Sequence, residues 1–209
     1  FYMQLWGRYC CTNISIIGSG EHLITATNIH LSAFEELREP EPFSRMAPVP
    51  DDLTLRTRDI KGAGFFLDAS QIGISEIVDT LWLNAIVGNH SHAVTVMVEY
   101  SNPIDADNNA ADWVEGSEHI LATYIAAEIA TDLSGQISSM GFTSKVHWTG
   151  ATDVDLDKAT VLAGLGIREG DKLINPYVED RFAVAVVTTD YAMATDLPLH
   201  RSQRDGKNL

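Results

Sequence analysis

The chain has 209 residues, of which 45% are hydrophobic, and it carries a net charge of -15 at pH 7. This length and apolar content allow one substantial core, so we expect one main domain. The negative charge disfavours nucleic acid and anionic membranes as partners, because phosphate binding depends on clustered Lys and Arg.

The location of the protein is indicated by what the sequence lacks. No run approaches the roughly 18 apolar residues that a membrane span needs, and the first residues do not form a signal peptide. Cys10 and Cys11 are adjacent and are the only cysteines, so we interpret them as buried thiols. Two thiols alone cannot build a four-ligand zinc or iron–sulfur site. The low cysteine count favours a reducing compartment, and we expect a cytoplasmic protein without a membrane span.

Residues 1–50 are predicted to form an N-terminal arm, because they lack clean periodicity. Two pieces rich in β-forming residues, 13–17 and 23–27, are predicted to be extended. The prolines at 40, 42, 48 and 50 stop regular structure. We expect this arm to lie over the rest of the molecule.

Residues 51–200 are predicted to form the core, followed by a polar tail at 201–209. Asp51 or Asp52 can cap a helix over 54–66, and Gly73 is expected to break whatever follows. A loop is predicted at 102–109, where Pro103 lies among acidic and amide residues.

The strongest elements are two apolar, β-branched stretches and one long helix. Residues 92–100 and 182–188 are predicted to be buried strands, and 145–148 a shorter one. A helix over 117–140 is predicted from an apolar stripe at helical spacing, which comprises Leu121, Ile125, Ile129, Leu133, Ile137 and Met140. A second helix over 153–165 ends at Gly164 and Gly166. Strands that alternate with helices indicate an α+β or α/β sandwich.

The common enzyme motifs are missing from the sequence. It contains no Gly-x-Ser-x-Gly elbow, no phosphate-binding Gly-x4-Gly-Lys-Ser/Thr and no His-Glu-x-x-His. The glycines at 164 and 166 follow a helix, whereas those of a dinucleotide fingerprint follow a strand and open a helix. His90 and His92 could bind zinc from one side of a strand, but no third ligand is evident, and we predict no metal ligand.

Four short stretches near the C-terminal end follow one another in a distinctive order. They are Ala-Gly-Leu-Gly at 163–166, Leu-Ile-Asn-Pro at 173–176, an Arg-led strand at 181–190 and Thr-Asp-Leu-Pro-Leu at 195–199. This order resembles the corrinoid-binding core of reductive dehalogenases and of their relative epoxyqueuosine reductase. Residues 55–69 and Ser-Met-Gly-Phe at 139–142 resemble two helices of the same family. The resemblance covers about 53–199 and is greatest to the branch found in aerobic bacteria.

The resemblance implies an α+β fold, a nitroreductase-like corrinoid-binding α/β sandwich. Its central sheet would include 92–100 and 182–188, with helices 117–140 and 153–165 packed on it. In this family the Ala-Gly-Leu-Gly loop and the following segment wrap the corrinoid with backbone groups, since small residues permit close approach and N–H and C=O groups bind the propionamides. The residues that would bind the cofactor here are Gly164, Leu165, Gly166, Ile174, Asn175, Thr188 and Thr189.

A tyrosine proton donor is also implied by the resemblance. Tyr124 lies 18 residues before Phe142, at the offset where relatives place that tyrosine, and a cation beside a phenol lowers its pKa. Arg181, two residues from the position that most relatives use, and Lys172 are the two candidates for this cation. Tyr100, at a strand end, is the substitute candidate for the donor.

The resemblance implies a cobalamin-dependent oxidoreductase that removes halogen reductively from an organohalide. Relatives bind two four-iron clusters through cysteine runs after the Leu-Pro-Leu exit, and this chain has none there. We expect 4Fe-4S clusters only from further sequence or from a ferredoxin-like partner. The spacing from Gly166 to Pro176 is also one residue shorter than in many relatives.

Two alternatives stay open at this point. The chain could be a corrinoid-binding carrier or subunit without its own catalysis, or a reductase like epoxyqueuosine reductase. The second needs a basic surface for tRNA, which the net charge of -15 disfavours. His147 as an axial cobalt ligand disagrees with the family, which holds its corrinoid without a protein histidine below the cobalt.

Overall fold

The computed structural model describes residues 19–83, 89–100, 111–114 and 116–199. The β piece predicted at 13–17, the two cysteines, the loop at 102–109 and the tail at 201–209 lie outside these residues. Among the described helices, none is both long enough and apolar enough to cross a membrane.

A four-stranded antiparallel sheet forms the centre of the fold. Its spatial order is β1-β2-β6-β3, and every neighbouring pair is antiparallel. A separate hairpin, β4-β5, precedes β6. The strands are β1 Gln71–Glu76, β2 His92–Glu99, β3 Ser144–Trp148, β4 Ile167–Glu169, β5 Lys172–Ile174 and β6 Phe182–Thr189.

Five α-helices accompany the sheet: α1 Ser19–Ala33, α2 Leu53–Phe66, α3 Ala111–Val114, α4 Glu118–Ser139 and α5 Leu156–Leu162. Two of the starts are capped by carboxylates that satisfy backbone donors of the first turn. The Asp52 side chain accepts from the N–H of Thr54 at 2.8 Å, and the Asp155 side chain accepts from the N–H of Lys158 at 3.0 Å. The helices predicted at 54–66, 117–140 and 153–165 are therefore present, the last one shortened at both ends.

Helices cover the sheet on both faces. On one face α2 and α4 pack on alternate residues of β1, β2 and β6, and α1 packs on the outside of α4. On the other face lie α5 and the hairpin. All eight residues of β6 are consequently buried, as expected for a strand covered on both sides. The predicted α+β class is confirmed, and the strands predicted at 92–100, 145–148 and 182–188 are present.

Two sequence predictions are corrected by the structure. Residues 23–27, predicted to be extended, lie within the helix α1, where Leu31 is buried in the main core beside α4. Gly73 does not break regular structure but lies inside β1, because a Cβ atom there would overlap the carbonyl oxygen of Ala163. The glycine thus allows the end of α5 to rest directly on the sheet.

The buried face of α4 is also rotated from the predicted stripe. Ile129, Leu133 and Ile137 of that stripe are buried, but Leu121 and Ile125 are only partly buried. Small residues fill the rest of the face, namely Ala122, Ala126, Ala127 and Ala130. They allow the helix to lie close against β6.

Candidate functional site

The end of α5 shapes the glycine loop at residues 164–166. Gly164 has φ +70°, and its N–H donates to Val161 O at 3.1 Å, while the N–H of Leu165 donates to Thr160 O at 3.0 Å. This pair of bonds is a Schellman C-cap, which needs a residue in the left-handed conformation and so favours glycine. The Leu165 side chain turns inward and is only 6% exposed. The partly exposed surface at Gly164 is therefore main chain.

The Thr-Asp-Leu-Pro-Leu segment crosses this loop. A Cβ atom on Gly164 would overlap the carbonyl oxygen of Leu197. Asp196 holds the segment against the sheet, since its N–H donates to Ile74 O at 2.8 Å and its carboxylate accepts from the N–H of Ile74 at 2.7 Å. Lys61 of α2 lies 2.6 Å from the same carboxylate. The segment is thus fixed at the free edge of β1.

Asn175 ties the loop to the segment after the hairpin. Its side chain is buried, and its Nδ2 atom donates to Leu165 O at 2.6 Å and to Gln71 Oε1 at 3.0 Å. Its Oδ1 atom accepts from the N–H groups of Tyr177 and Val178 at 2.8 and 3.2 Å. Every polar atom of this amide is bonded inside the protein. Asn175 therefore acts by holding backbone in place.

The structure brings five of the predicted cofactor-binding residues together and leaves two apart. Gly164, Leu165 and Gly166 lie against the end of β5, where Ile174 and Asn175 are located; a Cβ atom on Gly166 would be 3.3 Å from Ile174 O. Thr188 and Thr189, in contrast, lie at the far end of β6 beside β3. Their hydroxyls are buried and bonded within the protein.

Thr188 belongs to a buried polar network with two histidines. His147 is fully buried, and its Nδ1 atom accepts from the N–H of Asp153 at 3.2 Å. Its Nε2 atom therefore carries the proton and donates to Thr188 Oγ1 at 3.0 Å, while His90 Nδ1 lies 2.9 Å from the same hydroxyl. Burial, with the positive charge of Arg38 second, lowers the pKa of His147 to about 3. Both nitrogens of this imidazole are occupied, so it cannot serve as a cobalt ligand in this arrangement.

Tyr124 lies on the face of α4 that meets α1. Its ring stacks on Phe34 at a centroid distance of 5.5 Å and contacts the His30 ring edge to face at 6.2 Å. Burial, followed by the nearby carboxylate of Glu128, raises the pKa of its phenol. These surroundings differ from the predicted cationic partnership, since the groups described around the ring include neither Arg181 nor Lys172.

Tyr100 is the phenol that the fold places beside Arg181. Because β2 and β6 are antiparallel, the end of one meets the start of the other, and the N–H of Tyr100 donates to Arg181 O at 3.0 Å. The phenol oxygen lies 2.8 Å from His119 Nδ1, and the two rings meet edge to face at 5.9 Å. Lys172, on the adjacent hairpin, pairs with Asp180 at 3.2 Å.

The charges around Tyr100 favour its protonated form. Burial raises the pKa of the phenol first, the carboxylates of Asp180 and Glu118 raise it further, and Arg181 acts in the opposite direction. Tyr100 and His119 line a cavity of about 270 Å³ together with Leu156, Leu173 and Phe182. The cavity borders the hairpin that follows the glycine loop, so a proton donor and an apolar wall lie beside that loop.

His119 is a residue that sequence reasoning missed. It belongs to no motif, and only the start of α4 brings it to the strand end. The nearness of Tyr100 and Arg181 was available from the sequence, since pairing the two strongest predicted strands antiparallel places them together.

The residues at the loop fit a corrinoid. Gly164 presents main chain instead of a side chain, which suits the amide rim of a flat macrocycle. Leu197 crosses the loop with 84% of its surface exposed, and Tyr177, 75% exposed, follows the buried Asn175. These two side chains offer apolar surface of the kind that a large ring can cover.

Comparison with known proteins places the chain among corrinoid enzymes by structure. No protein-family model and no curated protein matches it. A reductive dehalogenase whose structure suggests a mechanism for B12-dependent dehalogenation is 31% identical, with a TM-score of 0.79 over 85% of this chain and 25% of that one. The catabolic reductive dehalogenase NpRdhA, in complex with 3-bromo-4-hydroxybenzoic acid, is 29% identical, with a TM-score of 0.81 over 90% of this chain and 27% of that one.

A more distant match shows the fold alone. Epoxyqueuosine reductase from Bacillus subtilis is 9% identical, with a TM-score of 0.53 over 70% of this chain and 48% of that one. The predicted resemblance to reductive dehalogenases is confirmed by the stronger matches. The chain spans about a quarter of the length of those dehalogenases.

Proposed function

We propose that this chain, a structural relative of the reductive dehalogenases, is the corrinoid-binding core of an oxidoreductase that removes halogen reductively from an organohalide. The observation that carries the proposal is the meeting of three separate stretches at one place. Residues 164–166, 174–175 and 196–198 lie together around exposed main chain. They are the stretches through which the sequence resembles the family, and 29–31% of residues are identical to two solved dehalogenases.

The residues of this chain would have two tasks. The glycine loop, positioned by Asn175 and by the crossing segment at Leu197, would bind the ring through backbone groups. When bound, a corrinoid supplies a strongly reducing cobalt centre that delivers electrons to a carbon–halogen bond. The net reaction, R–X + 2 e⁻ + H⁺ → R–H + X⁻, also needs a proton donor beside the loop. Tyr124 and Tyr100 are the two candidates, and a reducing, cytoplasmic setting suits the reaction.

Corrinoid binding is the first test. Incubation of the folded protein with hydroxocobalamin, followed by gel filtration, is expected to give about one corrinoid per chain by its visible spectrum. Leu197→Glu should weaken this binding, because it places a charge on the exposed apolar surface beside Gly164. Leu37→Glu, at another half-exposed leucine, is the matched control. A folded protein that excludes hydroxocobalamin would contradict the proposal.

Halide release is the second test. The protein encoded by the complete gene, loaded with hydroxocobalamin and reduced by titanium(III) citrate, should release bromide from 3-bromo-4-hydroxybenzoic acid, the compound bound by NpRdhA. The electron source in the cell would be an iron–sulfur domain or a ferredoxin-like partner. Iron and sulfide near eight per chain would indicate two four-iron clusters in the same protein.

A carrier or subunit is the second candidate function. It is favoured by the cysteine content of this chain, since Cys10 and Cys11 alone cannot bind a four-iron cluster. A complete gene product that binds hydroxocobalamin, contains no iron and releases no bromide would support it. Turnover of a tRNA substrate would instead indicate a reductase like epoxyqueuosine reductase.

A further inference from the structure

We infer that Tyr100 and His119 form the pair that delivers the proton to carbon as the halide leaves, an inference that rests on the proposed function. The phenol oxygen of Tyr100 is 2.8 Å from His119 Nδ1, and both side chains line the cavity beside the hairpin. Tyr100 touches the reacting carbon in this proposal, whereas His119 acts through Tyr100 and is a positioning residue.

The cavity has the composition that a halogenated hydrocarbon requires. Leu156, Leu173 and Phe182 supply apolar walls, and Leu173 belongs to the strand that packs against Gly166. The cavity volume of about 270 Å³ lies near the lower end of the usual range for small-molecule sites. A substrate in it would have the glycine loop on one side and the phenol on another.

The proton transfer balances with the two electrons of the proposed reaction. The O–H bond of Tyr100 breaks as a C–H bond forms, and the halogen leaves as halide. The resulting phenolate takes a proton from Nδ1–H of a protonated His119, which regains one from solvent. Electrons come from the reduced corrinoid and its donor, titanium(III) citrate in the assay.

The charges that face the pair set the direction of its pH dependence. Glu118 lies on α4, Asp157 on α5, and Asp180 and Arg181 precede β6. A neutral His119 accepts the phenol proton at Nδ1 and so holds it away from substrate. A protonated His119 donates to the phenol oxygen and leaves the O–H free. Halide release should therefore fall as the pH rises and His119 loses its proton.

Kinetics in the halide-release assay test the pair. Tyr100→Phe should lower bromide release by about 100-fold or more, which is the lower range for loss of a general acid, with hydroxocobalamin still bound. His119→Gln should cause a smaller loss and flatten the pH profile. Tyr191→Phe and His92→Asn are the controls, because these residues lie at the opposite end of the sheet.

A spectroscopic measurement tests the hydrogen bond without activity. In nitrogen-15 spectra at high pH, neutral His119 should be the Nε2–H tautomer, and this preference should be lost in Tyr100→Phe. Undiminished bromide release by Tyr100→Phe would overturn the inference while the proposed function stands. If Tyr124→Phe then abolishes release, Tyr124 is the donor. Failure of the unmutated protein to bind hydroxocobalamin would instead reject the proposed function.

Discussion

The carbonyl oxygen of Leu197 lies where a side chain of residue 164 would begin, so this position accepts only glycine. Two constraints therefore act on Gly164: its φ of +70° and the crossing of the backbone at 196–198. The first is an ordinary property of helix ends. The second links the glycine loop to the Thr-Asp-Leu-Pro-Leu segment and explains why the two stretches occur together in the sequence.

Gly164→Ala is expected to destabilise the protein by on the order of 2–4 kcal/mol, from left-handed backbone strain plus steric overlap. Gly170→Ala is the matched control, since Gly170 has φ +62° and open space around its Cα. It should lose only about 1 kcal/mol. The free energies of unfolding in urea measure both, and equal losses would contradict the close crossing at Leu197.

Asn175→Ala is expected to lower the free energy of unfolding by about 3 kcal/mol, because it leaves Leu165 O and the N–H groups of Tyr177 and Val178 without their partner. The corrinoid affinity should fall as well, since these bonds shape the loop. Asn28→Ala, on the exposed side of α1, should change the stability by less than about 0.5 kcal/mol. A similarly small effect at Asn175 would show that the network is dispensable.

The sequence predicted the elements whose own pattern is strong. The strands β2 and β6 are apolar throughout, and α4 has a long periodic stripe, so local signal and tertiary packing agree. Residues 23–27 contain β-branched side chains that favour strands locally, but packing of α1 on α4 overrides that preference. The strand β1 was missed because Gly73 weakens a strand unless a neighbour uses the space, and that neighbour is Ala163.

The candidate site was predicted to a different extent in its two halves. The glycine loop and Asn175 lie within contiguous motifs, and the structure brings them together. The proton-donor half depends on long-range geometry: Tyr100, His119 and Arg181 come from three elements, and only strand pairing and the start of α4 unite them. An offset along one helix, which selected Tyr124, contains no information about what packs against that helix.

Asp196 is expected to contribute more to stability than an exposed carboxylate. It combines a 2.6 Å contact to Lys61 with a bond to the N–H of Ile74, and both partners are largely shielded. Asp196→Ala should cost about 1.5 kcal/mol. Asp59→Ala, which removes a 3.9 Å surface pair with Arg58, should cost about 0–0.5 kcal/mol.

The variant Asp196→Asn separates the two contributions of this carboxylate. It keeps an oxygen for Ile74 and removes the charge facing Lys61, so a loss equal to that of Asp196→Ala would assign the effect to the ion pair. A double-mutant cycle with Lys61→Met gives the coupling energy directly. A coupling near zero would contradict a role for this pair in holding the segment.

His147 is expected to make the protein less stable as the pH falls below neutral. Its pKa is about 3 in the folded protein, chiefly because burial disfavours the imidazolium, against an ordinary value of 6.5. Between these two values the unfolded chain binds a proton that the folded protein does not. Stability from this group is therefore complete above pH 6.5 and is lost progressively as the pH falls towards 3.

The expected size of this loss follows from the pKa difference. Between pH 7 and pH 5 His147 should lower the free energy of unfolding by about 2 kcal/mol. The groups that face it are Asp153, which opposes the effect, and Arg38, Lys145 and His90, which strengthen it. The pKa values of His90 and His92 are also lowered by burial and add to the loss in the same direction.

Urea unfolding at pH 7 and pH 5 in His147→Gln measures the contribution of His147 alone. The variant is expected to be less stable at pH 7, because it disturbs the bonds to Thr188 and Asp153, but to lose about 2 kcal/mol less between the two pH values. His22→Gln, at an exposed position on α1, is the control and should keep the full pH dependence. An unchanged difference in His147→Gln would show that its imidazole is protonated in the folded protein, and the network of His147, Thr188 and His90 would then have to be charged.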